Sequence, residues 1–234
     1  MKKGDLMKRE ILKTAEDLFC KYGFEQTSIQ DILDVLHSSK GSFYHHFESK
    51  ETLLAEICRK RADEIHLTVF AEIEKKNTLI EKLNLLLTGI IPFQSEKTSF
   101  ILMLLHIFNS QHGKTVVSAF CDSLSSCFIS DLSGLLSAGS KSGELYCTEP
   151  VIMSDICLTL IHRLWRQICK MIISSEMADE EVDLSEIQHI NDQYRRTLEN
   201  ALVLPYGSLE LISLSFLDQM ISRIHVHWND VQKK

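Results

Sequence analysis

Between Ser39 and His46 the chain sets hydroxyls at Ser39, Ser42 and Tyr44, an ammonium at Lys40 and imidazoles at His45 and His46. All of them can bond phosphate oxygens or base edges in a nucleic-acid groove. Gly41, in their midst, has no side chain and permits close backbone approach. Spacing alone serves a structural corner of a helical bundle equally well.

Other chemistry finds less support. There is no H-E-x-x-H and no G-x-S-x-G, and nothing assembles a nucleophile, a base and an oxyanion site. Gly134 and Gly139 precede Ser140-Lys141-Ser142 in a superficial phosphate-loop pattern, but the lysine does not follow the second glycine and no strand precedes it. His225 and His227 stand about 200° apart on a helix and cannot converge on one ion. The seven cysteines (20, 58, 121, 127, 147, 157 and 169) include no C-x-x-C pair, against a disulfide framework or a zinc knuckle. No enzyme, metal or cofactor is expected, although Cys121 or Cys127 could sense oxidants.

The elements that would position the Ser39–His46 segment follow from periodicity. Ile11, Ala15, Leu18 and Phe19 share one helical face, and Gly23 can stop that helix. Thr27 to Gln30 reads as a capping box opening a short helix with Ile29, Ile32, Leu33 and Leu36 on one side. Ser38 and Ser39 interrupt the pattern and offer a second cap. A very short helix follows, with Phe43 and Phe47 spaced to pack inward. Ser49 can cap a fourth helix running to about residue 74. Two short helices across a tight turn, framed by longer ones, have the spacing of a helix-turn-helix.

Phe19, Tyr22-Gly23-Phe24, Thr27-Ser28-Ile29-Gln30-Asp31-Ile32, Ser39-Lys40-Gly41-Ser42-Phe43-Tyr44-His45-His46-Phe47, Ser49-Lys50-Glu51 and Leu53-Leu54 together resemble the DNA-binding domain of TetR-family transcriptional regulators over residues 7–55. The resemblance implies an all-α homodimer: a three-helix head at residues 1–49 and a larger effector-binding and dimerisation domain at 50–234. It further implies that Thr27 or Ser28 caps the second helix and touches phosphate. Ser39, Lys40, Gly41 and Ser42 would meet the groove, with Tyr44, His45 and His46 at backbone or base edges. Lys50 would add a phosphate contact. The turn departs from the family pattern, with His37 where glycine is usual.

Further helices are predicted at about 78–91, 95–111, 114–137, 150–176, 184–203 and 208–228, each ended by Gly, Pro or a short polar cluster. The first two of these are apolar on more than one face and are therefore expected to be central elements. Stripes at Ile156, Leu160, Leu164, Ile168 and Met171, and at Leu209, Ile212, Phe216, Met220 and Ile224, suit either an internal core or the isologous four-helix interface that the resemblance suggests. Phe100, Met103, His106, Phe120, Trp165 and Arg166 are candidates for lining an effector cavity, each also compatible with plain packing or a surface position. Arg163 and Arg166 could hold an anionic ligand or an ordinary salt bridge.

Composition agrees with this division. Nine Gly and three Pro in 234 residues favour long helices over an all-β fold. Residues 1–61 carry eleven Lys/Arg against ten Asp/Glu; the rest of the chain carries fourteen against twenty-two, for a net charge of −7. One end can therefore meet a polyanion and the other less readily. No apolar run reaches the length of a membrane span, and no secretory h-region follows Met1, so a cytoplasmic protein is expected. The expected function is a transcriptional regulator, a repressor by preference, that binds a palindromic operator in double-stranded DNA as a homodimer and is released by a small-molecule effector of unknown identity. The acidic body and the non-glycine turn leave an alternative: an all-helical protein-interaction module with a non-DNA-binding head.

Overall fold

The computed structural model describes residues 3–91, 100, 103–104, 107, 111–178, 180–212, 216–219 and 221–222, and no strand occurs among them. Among the described residues eight helices have both ends defined: α1 (Lys3–Tyr22), α2 (Ile29–Leu36), α3 (Lys40–Tyr44), α4 (Lys50–Ile73), α5 (Leu79–Gly89), α6 (Gln111–Ser142), α7 (Pro150–Ala178) and α8 (Leu184–Leu202). They form two compact units, residues 1–63 with 96–123, and residues 64–95 with 124–234. Helices α4 and α6 each supply residues to both units.

In the first unit α1 packs on α2 and α2 on α3. Ile11, Ala15, Phe19, Phe24, Ile32, Leu33, Phe43, Leu53, Leu54 and Ile57 are all at most 1% exposed. Burying a side chain the size of Phe19 contributes roughly 1.5–3 kcal/mol, and its ring meets Phe24 edge-on at 5.1 Å. Gly23, at φ +89°, ends α1 and donates its N–H to the Phe19 carbonyl at 2.9 Å.

The cap of α2 is Ser28, one residue later than the sequence pattern predicts. The Asp31 N–H donates to Ser28 Oγ at 3.2 Å, and the Ser28 N–H donates to Asp31 Oδ2 at 2.7 Å. Thr27 is 2% exposed and gives its hydroxyl to the Gly23 carbonyl at 2.8 Å. Burial has displaced Thr27 from the capping role that its residue type allows.

His37 closes α2 in the left-handed region at φ 48°, with the Ser38 N–H reaching back to the Leu33 carbonyl at 3.0 Å. The turn keeps its geometry without glycine.

In the second unit α7 packs on α8 and α5. Leu158, Ile161, Leu164, Ile168 and Ile172, on one face of α7, are at most 1% exposed. Helix α6 is longer than the predicted 114–137. Gly139 does not break it: a Cβ there would stand 2.4 Å from Leu79 Cδ2, so the glycine admits a close neighbour instead.

The predicted helix at 208–228 does not begin where expected. Residues 205–212 form a non-helical strap, and helix is found only at 216–219 and 221–222 among the described residues. Asn84 holds the strap with both ends of its amide, donating to the Ser208 carbonyl at 3.0 Å and accepting the Glu210 N–H at 2.9 Å. Leu209 and Ile212 are thereby buried within this unit rather than displayed as part of a helical stripe. Met220, Ile224, His225 and His227 lie outside the described residues, as does most of the predicted 95–111 helix. Within the latter, Phe100, Met103, Leu104 and Ile107 are all at most 4% exposed.

A left-handed residue other than glycine costs about 1–2 kcal/mol, part of which glycine gives back through its freer unfolded chain. His37→Gly is therefore expected to raise stability by about 0.5–1 kcal/mol in urea unfolding; an unchanged or lower midpoint would mean that the imidazole contributes more than its strained backbone costs.

A second expectation concerns pH. His162 on α7 lies close to Ser125 Oγ, at 3.4 Å from Nδ1, and its Nε2 has no hydrogen-bond partner among the described residues. Burial first, then the Arg166 charge, pushes its pKa down to about 4. Below about pH 6.5 the unfolded chain takes up a proton that the folded one refuses, so stability should fall with pH by up to about 1.4 kcal/mol per unit until about pH 4. Glu56, held at about 2 by Arg59 and Lys8, adds its own loss only below its ordinary range. The slope of the urea midpoint between pH 6.5 and 5 should flatten in His162→Gln; an unaltered slope would assign it to other groups.

Candidate nucleic-acid interface

A helix of five residues cannot hold itself, so α3 is fixed from outside. Ser39 caps it, accepting the Ser42 N–H on Oγ at 3.3 Å. Phe43 is fully buried and Phe47 is 5% exposed, their rings 5.8 Å apart. The His46 N–H donates to the Phe43 carbonyl at 2.9 Å, continuing the turn past the end of the helix.

With the phenylalanines inward, the other side chains are turned out. Ser39, Lys40, Gly41, Tyr44 and His45 are exposed, Tyr44 by 56%, while Ser42 and His46 are half-buried. The Tyr44 ring leans edge-on against Phe43 at 5.4 Å, and the two imidazoles meet edge-on at 4.8 Å. Lys40 has no acidic partner among the described residues. Ser28, also exposed, lies at the start of α2 with its hydroxyl on Asp31 Oδ2 at 2.6 Å. The structure thus gathers Ser39 to His46 into one exposed array of hydroxyls, imidazoles and a free ammonium.

Two residues expected at phosphate have other work. Thr27 is buried, with its hydroxyl spent on the Gly23 carbonyl. Lys50 donates to the carbonyls of Phe24 at 2.8 Å and Thr27 at 3.0 Å, with its ammonium 4.3 Å from the Phe24 ring centroid. It ties the first turn of α4 to the loop between α1 and α2, which makes it a positioning residue for the array. The reason is reach: the loop brings two carbonyls and an aromatic face to the ammonium, a stronger local demand than solvent offers.

Sequence reasoning missed the buried ion pair that joins α1 to α4. Arg61 Nε and Nη2 both bond Glu16 Oε1, with the Arg61 and Glu16 side chains only 13% and 8% exposed. The Phe100 ring lies 5.8 Å from the same guanidinium. Nearby, Lys8 and Arg59 share Glu56 at 3.0 Å each. The only hint in the sequence is that Glu16 follows Ala15 in the buried stripe of α1.

The effector candidates fall in both units. Phe100 and Phe120 pack edge-on at 5.7 Å in the first, where Met103 is also buried. Phe100 also borders a groove of about 600 Å³ with Glu16, Arg61, Lys13 and Lys60. Trp165, buried, and Arg166, exposed, belong to the second unit. His106 lies outside the described residues. No helix among the described residues is long and apolar enough to cross a membrane, and no group of three or more metal-ligating side chains occurs among them.

Comparison with known proteins agrees with this geometry. The profile of "Bacterial regulatory proteins, tetR family" matches residues 11–57. The HTH-type transcriptional regulator YerO of Bacillus subtilis (strain 168) is 51% identical over 51 residues, 22% of this chain and 18% of that one. The HTH-type transcriptional repressor KstR2 of Rhodococcus jostii (strain RHA1) is 41% identical over 56 residues, 24% and 28% of the two chains. The matched segments thus span less than a third of these curated relatives. In fold, the likeness extends much further. A Syntrophomonas wolfei protein assigned to the TetR-family transcriptional regulators superposes with a TM-score of 0.57 at 17% identity, covering 86% of this chain and 99% of that one. In sequence the match to the bacterial regulatory proteins of the tetR family is confined to the head, residues 11–57, while the likeness over the rest of the chain is one of all-helical fold.

Proposed function

We propose that this protein is a repressor that binds a palindromic operator as a homodimer and leaves it when a small-molecule effector is bound. The observation that carries the reading is the exposed array from Ser39 to His46, anchored by two buried phenylalanines. In this reading Ser39, Lys40, Gly41 and Ser42 enter the major groove, Tyr44, His45 and His46 reach backbone or base edges, and Ser28 meets a phosphate. Lys50 and Thr27 act indirectly, by holding the loop that orients α2.

A palindrome needs two heads, with recognition helices about 34–36 Å apart. Support for a second copy comes from α7, where Val151, Ile152 and Ile156 are 61%, 60% and 42% exposed. Leu164 and Ile168, counted in the same stripe from sequence, are instead core. Release by an effector requires a coupling of about 1–3 kcal/mol between the two sites, or roughly 5- to 150-fold in operator affinity. The candidate effector residues are Phe100, Met103, Phe120, Trp165 and Arg166. The alternative of a protein-interaction module loses one of its two motives, because His37 takes the left-handed turn conformation that glycine would supply.

Fluorescence anisotropy with the DNA upstream of the protein's own gene tests the reading. Lys40→Ala should weaken binding to every sequence and reduce the salt slope by about 1. Tyr44→Ala should cut operator affinity more than affinity for unrelated DNA. A protein with no salt-sensitive, sequence-dependent complex, or with both variants unchanged, would refute the assignment.

The second copy is tested separately by light scattering. Ile152→Glu combined with Ile156→Glu should convert a dimer to a monomer without loss of helix content. A monomeric parent protein, or a variant that stays dimeric, would remove this face from the interface.

A further inference from the structure

The geometry points to His37, in the turn between α2 and α3, as a further DNA contact whose imidazole bonds a backbone phosphate at the rim of the groove that α3 enters. This inference rests on the operator reading above and adds a residue to it.

The backbone of His37 is left-handed, at φ 48° and ψ 43°. Glycine enters that region more cheaply, because it has no Cβ to crowd the following carbonyl. Outliers of this kind gather where a chain meets a ligand.

Nothing inside the molecule repays the strain. The imidazole is exposed and makes neither a hydrogen bond nor a ring contact among the described residues. Asp34, three residues back, is the carboxylate nearest in sequence. It accepts Gln30 Nε2 at 2.7 Å instead, and only its carbonyl takes the His37 N–H, at 3.3 Å. The turn is closed by the Ser38 N–H on the Leu33 carbonyl at 3.0 Å. Both of these turn bonds are main-chain bonds that glycine at position 37 would leave in place.

Position supplies the partner. His37 stands two residues before Ser39, the cap of α3, and Ser39, Lys40 and Gly41 are exposed beyond it. On the operator reading those three lie in the major groove. A helix end that enters a groove passes the phosphates at its rim, so a side chain just ahead of it meets backbone oxygens before base edges. An imidazole offers a phosphate an N–H in either tautomer, which glycine cannot do. Lys40, three residues on, draws the same anions to this end of α3.

The test compares the full-length parent with His37→Gly and His37→Asn, by urea unfolding and by anisotropy. Two duplexes of equal length serve as probes: the DNA upstream of the gene and a scrambled sequence. His37→Gly should be more stable than the parent yet bind both duplexes about tenfold more weakly, the worth of one hydrogen bond to a charged group. A merely structural residue would move stability and binding in the same direction. Asparagine tolerates the left-handed region but has a shorter reach, so His37→Asn should keep the turn and bind as weakly as His37→Gly. Full binding by His37→Asn would assign the glycine loss to a loosened turn, and a loss confined to the upstream duplex would assign it to a base. Either result overturns the phosphate contact, as does weaker binding joined to lower stability. A parent that binds neither duplex overturns the operator reading and this one together. A parent that binds, with both variants matching it, overturns this one alone.

Discussion

The recognition segment depends on the burial of Phe43 and Phe47. Five residues of helix make too few internal hydrogen bonds to repay their own ordering. The apolar core of the first unit supplies the difference, and at Phe43 that core admits no solvent. Because the two aromatic residues are four apart, they fix the rotation of the turn as well as its presence. The direction of Tyr44 and His45 then follows, since neighbours of a buried helical position must face outward. Loss of either ring would scatter the array before any groove contact was touched.

A second constraint links that core to the rest of the first unit. Glu16 and Arg61 form a nearly buried ion pair between α1 and α4. Removing one partner from such a pair commonly costs about 3–5 kcal/mol, because the survivor is left charged and unpaired. An apolar pair of the same shape could be as stable; what the ion pair adds is a directed link between α1 and α4. Lys50 works in the same way at the other end of the head, where two carbonyls and the Phe24 ring converge on one ammonium. Polar links at both ends set the angle of α4 against α1, and Phe100 rests on one of them.

Much of this was legible in the sequence, and two of the misses share a cause. Periodicity located α1, α2, α5, α7 and α8 closely, because each has an apolar face and a chemically distinct end. Ser28 rather than Thr27 caps α2 because Thr27 is drawn into the core, which no local pattern records. Gly139 looked like a stop and is a contact, since Leu79 occupies the space its side chain would need. Leu209 and Ile212 kept helical spacing yet lie in a strap, where an asparagine more than a hundred residues away takes the backbone groups of the neighbouring Ser208 and Glu210. For Gly139 and the strap a distant partner outweighed a local preference, while the Thr27 hydroxyl is taken by a carbonyl only four residues away. The outward array from Ser39 to His46 was readable for the opposite reason: its neighbours in sequence are its anchors in space.

The same contrast explains why the head resembles its relatives more closely than the body does. A head that fits B-DNA meets the same groove dimensions and phosphate spacing everywhere, so hydroxyls, imidazoles and aromatic anchors are held to one spacing. The rest of the chain shares only a helical frame with the solved structures it resembles, at 17% identity to the Syntrophomonas wolfei protein. Charge leads to a further consequence for this chain. Its head is close to neutral, and several of its cations are already paired: Lys8 and Arg59 with Glu56, and Arg61 with Glu16. Lys13, Lys21 and Lys40 have no acidic partner among the described residues and remain to release counterions from DNA. An operator contact by this head would combine those charges with directed hydrogen bonds from serine, tyrosine and histidine. Such bonds discriminate between sequences better than they strengthen binding overall.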